Sequence, residues 1–260
     1  MSKTLFLTIS FLTVVFAEFD PHFQFFLQHK LGKEVAEKFA RKDVANIGSF
    51  GGGLLTGEQK VRPIVLVHGF RNQADSLWKI RRDFVASGFP FDESLQCAHV
   101  KHIRDFINAI SRYTWSKVDV IAYSMGAPLS RKAILGGQCI ENGELLGKPL
   151  TRKIHSFISV AGANHGSYLC STFPFGNICN FVNGLACDSK FLKEVNSKKH
   201  YEGKNVYSIA SEDDDVVGYK TCGRKTSKIY GSKEIVLKGL NHEETEFDTA
   251  NIQLALVRAA

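Results

Sequence analysis

The amino-acid sequence predicts an α/β fold: a mostly parallel, doubly wound sheet with helices on both faces. Two observations predict it. Short apolar runs alternate along the 260 residues with segments of helical periodicity, the pattern of parallel strands joined by crossover helices. Polar clusters follow these runs where each one ends, and in such a sheet the ligand site lies off the carboxyl ends of the strands.

The first 17 residues are predicted to be a secretory signal peptide. Lys3 supplies a positive start, Leu5 to Phe16 form an apolar stretch, and small residues end at Ala17. The stretch is too short to cross a bilayer, and no second apolar run follows it, so no transmembrane span is expected. Residues 18–260 are then expected to form one secreted, extracellular domain.

The first half of that domain begins with an aromatic-rich lead-in over residues 18–60. A helix is predicted within it from about Lys33 to Arg41, followed by a glycine-rich loop at 48–53 that lacks a nucleotide-binding spacing. The continuous apolar run Ile64–Val67 predicts a strand that is buried on both faces. A helix is expected next, from about Ser76 to Ala86.

The second half continues the alternation of strands and helices. One face of residues His102 to Tyr113 is apolar, which predicts a helix. The strand that begins at Val118 leads into a helix over Ala127 to Ile134. Further strands are predicted at His155 to Val160, Asn205 to Ala210 and Glu234 to Lys238, before a C-terminal helix through Val257.

Cysteine content and charge exclude some classes of protein. Six cysteines in a secreted chain predict up to three disulfides, with 15 pairings open. The C-x-x-C spacing that is usual for zinc sites does not occur in the sequence. The formal net charge is +7, but the basic residues are scattered among acidic ones. No basic stripe with interleaved aromatics is present, so nucleic-acid binding is not expected.

The segment from Val118 to Gly126 predicts a nucleophilic serine. It is a β-branched run that ends in Ala122-Tyr123-Ser124-Met125-Gly126 and leads into a helix. A sharp strand-to-helix turn of this kind exposes one hydroxyl and needs small residues two positions before and two after it. Ser124 is therefore the candidate nucleophile, with Ala122 at the position where glycine is usual.

A serine nucleophile needs a base and a group that orients the base. The order Ser124, an acid within 212–215, then His242 is the order of a strand-end triad. An acid followed by any residue and two aliphatics favours Asp214, with Asp213 and Asp215 left open. His165 precedes the acid and is expected at the rim of the site instead. Two backbone N–H groups are predicted to bind the oxyanion, those of Phe70 and Met125.

Taken together, these motifs resemble the class 2 triacylglycerol lipases, the group that includes the Bacillus lipase A type, and in particular its secreted nematode members. The resemblance covers the whole mature chain. It is carried by five segments: Val65–Phe70, Lys117–Gly126, Val160–Gly166, Asp214–Val217 and Gly239–His242. Alanine at the position of Ala122 is itself typical of the bacterial group. The resemblance implies an α/β-hydrolase fold, ester hydrolysis without a cofactor, and Ser124, Asp214 and His242 as the triad.

Two regions depart from a minimal hydrolase. Residues Gly88 to Cys97 are poor in strand formers, so an edge strand is expected to be rudimentary or missing. An insert at about 166–190 combines three cysteines with Phe173, Phe175, Phe181 and Leu185. It is interpreted either as an acyl-chain wall or lid, or as a disulfide-stapled loop whose aromatics pack inward.

The leading hypothesis is a secreted serine hydrolase that acts on lipid esters, with a lipid–water interface as one possible place of action. The alternatives are a short-chain esterase, an acyltransferase with the same triad, and a noncatalytic lipid-binding protein on a hydrolase scaffold. The sequence makes no prediction of the oligomeric state.

Overall fold

The computed structural model describes residues 18–41, 48–52, 62–70, 85–87, 95–172 and 176–259. The predicted signal peptide, Phe173, Phe175 and most of the predicted helix from Ser76 lie outside the described residues. Among the described residues, no helix combines the length and apolarity that crossing a membrane requires.

The described residues contain ten strands: β1 (Ile64–Val67), β2 (Val85–Ser87), β3 (Val118–Tyr123), β4 (Gly137–Gln138), β5 (Leu145–Gly147), β6 (Ile154–Val160), β7 (Asn205–Ser211), β8 (Lys220–Thr221), β9 (Arg224–Lys225) and β10 (Lys233–Leu237). Six of them form a parallel sheet at the centre of the molecule, in the order β10-β7-β6-β3-β1-β2. Two short antiparallel pairs, β4 with β5 and β8 with β9, lie outside it.

Eight α-helices lie within the described ranges. They are α1 (Pro21–Leu31), α2 (Lys33–Ala40), α3 (Cys97–Thr114), α4 (Gly126–Leu135), α5 (Tyr168–Thr172), α6 (Lys190–Ser197), α7 (His242–Phe247) and α8 (Ala250–Ala259). Two 3₁₀ turns in the same ranges cover Thr151–Lys153 and Gly176–Cys179. Local sequence sets several starts: Asp20 caps α1 ahead of Pro21, and Asn241 with Glu244 forms a capping box on α7.

The sheet separates two apolar cores, which confirms helices on both faces. The larger core packs α1 to α4 and α6 against one face, with Phe106, Val120 and Leu129 buried there. The smaller core lies on the other face, where Val257 of α8 packs with Ile121 and Ile158. Successive residues of β3 point to opposite faces, and both faces are covered, so all six of its residues are buried.

The edge of the sheet next to β1 differs from the prediction. The expected helix through Ala86 is wrong at its end, because Val85–Ser87 forms β2 and pairs in parallel with Val65–Val67. The rudimentary edge strand is therefore present, with three residues, just before the segment from Gly88 in which it was sought. A run of three residues that is poor in β-branched side chains shows too little hydrophobic periodicity to distinguish a strand from a helix.

Other boundaries differ in ways that local sequence explains. Helix α3 begins at Cys97, five residues before the predicted start, because Cys97 and Val100 continue its buried face. The predicted C-terminal helix is two helices, α7 and α8, separated at Asp248 and Thr249. Helices α1, α5 and α6 were not predicted. The predicted strands of the second half agree with the structure to within one residue at each end.

The six cysteines form three disulfides: Cys97–Cys139, Cys170–Cys179 and Cys187–Cys222. The predicted number is confirmed, and the structure selects one pairing out of the 15 possible ones. The second and third bridges fasten the segment after β6, one within itself and one to the β8–β9 pair.

Candidate active site

Three side chains from separate loops meet at the carboxyl edge of the sheet. Ser124 follows β3, Asp214 follows β7, and His242 is the first residue of α7 after β10. The strands are parallel, so their carboxyl ends lie along the same edge, and residues far apart in the sequence become neighbours.

The three side chains form one hydrogen-bonded chain. The Ser124 hydroxyl lies 2.9 Å from His242 Nε2, and His242 Nδ1 lies 2.8 Å from Asp214 Oδ2. A carboxylate can only accept, so Nδ1 carries the proton and Nε2 is left to accept from the serine. All three residues are buried, with exposed fractions of 6 to 8 %. The structure thus brings together the three residues that the sequence singled out.

The backbone at Ser124 has the strain of a sharp turn. Its φ is +52°, in the left-handed region that non-glycine residues seldom adopt. The conformation is held by the end of β6 and the loop that follows it: the Ser124 N–H donates to the Val160 carbonyl at 2.9 Å, and the Ser124 carbonyl accepts from the Ala163 N–H at 3.1 Å. Strain that is held by its surroundings is common at functional sites.

Two glycines allow the close approach of β1 to this turn. A Cβ atom on Gly126 would lie 2.4 Å from the His68 carbonyl oxygen, and one on Gly69 would lie 2.7 Å from the Ser124 Cβ. Neither position can accept a side chain unless the backbone shifts. The loop that follows β1 is therefore pressed directly against the serine.

The two predicted oxyanion donors belong to the two segments that meet at this contact. Met125 is fully buried and immediately precedes α4, so its N–H belongs to the first, positively polarised turn of that helix. Phe70 follows Gly69 in the loop pressed against the serine, and its side chain packs on the larger core. Both residues therefore lie in segments that flank the Ser124 hydroxyl.

Hydrogen bonds to both carboxylate oxygens hold Asp214 in place. Oδ2 accepts from His242, while Oδ1 accepts from the N–H groups of Val216 and Val217 at 3.0 and 2.9 Å. Burial alone would raise its pKa. The hydrogen bond and charge of His242 and the two backbone donors outweigh burial, so the pKa of Asp214 lies below its ordinary value. The carboxylate is therefore ionised near neutral pH.

The aspartates on either side of Asp214 have separate structural contacts. Asp213 Oδ2 accepts from the Gly239 N–H at 2.6 Å, and Asp215 Oδ1 accepts from the His242 N–H at 3.0 Å. All three consecutive carboxylates thus contact the loop or helix after β10. The sequence left these two open as alternative acids and gave no signal of this role.

Tyr123 is a further residue of the site that sequence reasoning missed. Its hydroxyl donates to the His242 carbonyl at 3.2 Å, and its ring centroid lies 4.9 Å from that of the imidazole. The position between Ala122 and Ser124 was considered only as part of the turn. An aromatic residue next to the predicted nucleophile was the only feature of the sequence that could have indicated this contact.

His165, the rejected alternative base, is bound elsewhere. Its backbone N–H donates to the Thr226 carbonyl, and burial together with the charges of Arg131 and Arg224 lowers the pKa of its imidazole to about 4. His242, not His165, occupies the position next to the Ser124 hydroxyl. Within the part of the chain that the structure describes, no three His, Cys, Asp or Glu side chains are grouped as metal ligands.

A buried ion pair anchors α4 behind the serine. Arg131 Nε lies 3.0 Å from Glu202 Oε1, and both side chains are 1 % exposed. The same guanidinium donates to Asn196 Oδ1 at 2.8 Å and to the Val195 carbonyl at 2.9 Å. Helix α4 is therefore tied to α6 and to the segment before β7.

Comparison with known proteins agrees with this architecture. The family model described as Lipase (class 2) matches residues 61–255. The structure resembles the mature form of the Bacillus licheniformis lipase BlEst2, with a TM-score of 0.56, 14% identity, and coverage of 79% of this chain and 96% of that one. For the Paleococcus ferrophilus monoacylglycerol lipase the values are 0.50, 14%, 77% and 97%. Curated proteins give no match.

The sheet order, the helices on both faces and the strained serine turn define an α/β-hydrolase. Within that class, the chain belongs to the class 2 lipase family. It is a carboxylic ester hydrolase of the lipase and esterase kind.

Proposed function

We propose that the protein is a secreted serine hydrolase that cleaves carboxylic esters of lipids through an acyl-enzyme on Ser124. The observation that carries the proposal is the chain of two hydrogen bonds, 2.9 and 2.8 Å, from Ser124 through His242 to Asp214. Three disulfides support an extracellular location, because such bonds persist in oxidising compartments. The predicted signal peptide supports it as well.

In the acylation half of the proposed reaction, the Ser124 oxygen attacks the ester carbonyl carbon while His242 Nε2 takes the serine proton. The positive charge on the imidazole is balanced by ionised Asp214, which also holds the ring in the required tautomer. The carbonyl oxygen becomes negative and is bound by the N–H groups of Met125 and Phe70. Collapse of this intermediate releases the alcohol, which receives its proton from His242.

In the second half, water replaces the alcohol. His242 removes a proton from the water as the oxygen attacks the acyl carbon, and the same two N–H groups bind the oxyanion again. The bond to Ser124 then breaks, the serine regains its proton from His242, and a fatty acid leaves. No step requires a cofactor. A short-chain esterase would use the same steps, so the two differ only in the acyl chain that is accepted.

Covalent labelling tests the proposal. A fluorophosphonate probe should label the purified protein, and turnover of p-nitrophenyl esters should fall by about 10⁶-fold in Ser124→Ala, since removal of the nucleophile disables the whole triad. Ser197→Ala, which removes an exposed serine at the end of α6, is the matched control and should keep both labelling and turnover.

Labelling that persists in Ser124→Ala would contradict the assignment of the nucleophile. Chain length in a p-nitrophenyl ester series separates the two substrate classes. Faster turnover of long acyl chains supports a lipase, and turnover restricted to acetate and butyrate supports a short-chain esterase.

A further inference from the structure

The segment Gly166–Cys187, here called the uncharged insert, follows β6 and is unlike the rest of the chain. It contains no Asp, Glu, Lys or Arg, although such residues make up 23% of the sequence. A surface segment of a secreted protein ordinarily carries charges that keep it solvated. Their complete absence from this segment suggests that it faces something other than water.

The uncharged insert exposes large apolar side chains. Phe181 is 72% exposed, Tyr168 is 48% exposed and Val182 is 40% exposed. The interpretation of an inward-packed loop therefore fails for Phe181, although it holds for Leu185, which is buried. Apolar side chains grouped on one exposed segment mark an interaction surface more often than scattered ones do.

Disulfides and a hydrogen-bonded turn hold the segment that carries these exposed side chains. Cys170–Cys179 closes the insert on itself, and Cys187–Cys222 ties its end to the β8–β9 pair. Next to Phe181, the Asn180 side chain accepts from the N–H groups of Val182 and Asn183 at 2.7 and 2.9 Å. Phe181 is thus presented by a fixed turn.

The uncharged insert is attached to the loop that carries Asp214. The Tyr168 N–H donates to the Val217 carbonyl at 2.9 Å, and the Ser167 hydroxyl donates to the Val216 carbonyl at 2.8 Å. Val216 and Val217 are the residues whose N–H groups bind the Asp214 carboxylate. A surface that touched the insert would therefore lie beside the site.

We propose that the uncharged insert docks on a lipid–water surface made of lipids without net charge, with Phe181, Val182 and Tyr168 entering the lipid. The inference rests on the proposed function and names the physical form of its substrate. A docking surface for anionic lipid would carry lysines or arginines, which attract it electrostatically. The insert itself has none, although Lys190, whose backbone N–H donates to the Phe181 carbonyl, is exposed beside it. We therefore expect docking to be driven mainly by burial of apolar area.

The experiment measures binding of the Ser124→Ala protein to vesicles, so that no product alters the surface. Vesicles of phosphatidylcholine are compared with equimolar phosphatidylcholine and phosphatidylglycerol, each at low and high NaCl. Phe181→Ser is added to this background. The matched control is Trp115→Ser, because Trp115 is 93% exposed and lies before β3, at the opposite edge of the sheet.

We expect binding to phosphatidylcholine that changes little with salt, because screening acts on charges only. Phe181→Ser should weaken it about tenfold, equivalent to about 1.4 kcal/mol, and Trp115→Ser should leave it unchanged. Hydrolysis of dissolved p-nitrophenyl butyrate, measured with Ser124 restored, should be equal in Phe181→Ser and the parent.

Three results would overturn the proposal. Binding that requires phosphatidylglycerol and disappears at high salt would assign docking to basic residues. Equal losses in Phe181→Ser and Trp115→Ser would indicate nonspecific adhesion. A dimer in solution that Phe181→Ser dissociates would make a second copy the partner. If Ser124 is not labelled by the probe but vesicle binding behaves as expected, the proposed function fails while the docking surface stands.

Discussion

At the scale of single residues, the three consecutive aspartates divide the work of fixing the site. Asp214 contacts the imidazole of His242, Asp215 contacts its backbone N–H, and Asp213 contacts Gly239. Only the first of these contacts determines which ring nitrogen carries the proton. The other two position the loop and the helix start.

This division predicts different effects of the same amide substitution. Asp214→Asn should lower kcat for ester hydrolysis by about 10⁴-fold, because an amide in this place favours the wrong tautomer of the base. Asp213→Asn and Asp215→Asn are matched controls and should lower it by less than about tenfold, since an amide oxygen can still accept a backbone hydrogen bond. Steady-state kinetics of the three variants measures this. A larger loss in either control than in Asp214→Asn would reassign the acid.

Ser124, Asp214 and His242 could be selected from sequence because each follows a strand and because their order is diagnostic. The contacts of Asp213 and Asp215 could not, since they depend on how closely the ends of β7 and β10 approach. Tyr123 was missed for the same reason. Its contact with His242 joins residues that are 119 positions apart.

At the scale of secondary-structure elements, helix α4 is the part that must be held still, because it begins next to Ser124. Its buried Arg131 joins it to Glu202 and to α6. A buried ion pair contributes little by itself, but the loss of one partner leaves an uncompensated charge.

Arg131→Met should therefore destabilise the protein by about 3–5 kcal/mol. Adding Glu202→Gln should recover part of this loss, because the charge left behind is removed. Urea unfolding of both variants and the parent gives the free energies. A double variant that is no more stable than Arg131→Met would show that Arg131 stabilises the protein through packing of its side-chain stem rather than through the charge of Glu202.

The accuracy of the element predictions followed the strength of the local pattern. Strands β1, β6, β7 and β10 are continuous or alternating apolar runs and were located to within one residue. The edge strand β2 has three residues and was assigned to a helix. Helix α6 was not predicted, although α2, which has the same length of eight residues, was.

At the scale of the whole molecule, acid is expected to unfold the protein through buried neutral histidines. His102 of α3 lies against Phe39 of α2, with ring centroids 4.9 Å apart. Burial, followed by the charges of Lys38 and Arg41, lowers its pKa from 6.5 to about 3. In the unfolded chain the same histidine takes up a proton near pH 6.5.

Between these two values the unfolded state binds more protons, so stability is lost as the pH falls from about 6.5 towards 3, by up to about 1.4 kcal/mol per pH unit. His102→Gln should flatten this part of the profile, whereas His22→Gln, which alters an exposed residue of α1, should not. Urea unfolding at a series of pH values measures the slope. Parallel profiles for His102→Gln and the parent would contradict the prediction.

The placement of the three site residues also has a consequence for the order of folding. Ser124 and His242 are 118 positions apart in the sequence. In the sheet, β6 and β7 lie between the strands that precede these two residues, and each of these parallel pairings joins segments that are distant in the sequence. Nonlocal pairing is slow because the loop entropy is lost before the contacts form. No smaller folding unit contains both the serine and its base. Recovery of esterase activity after denaturation therefore reports the pairing of β3, β6, β7 and β10, while recovery of helical signal can precede it.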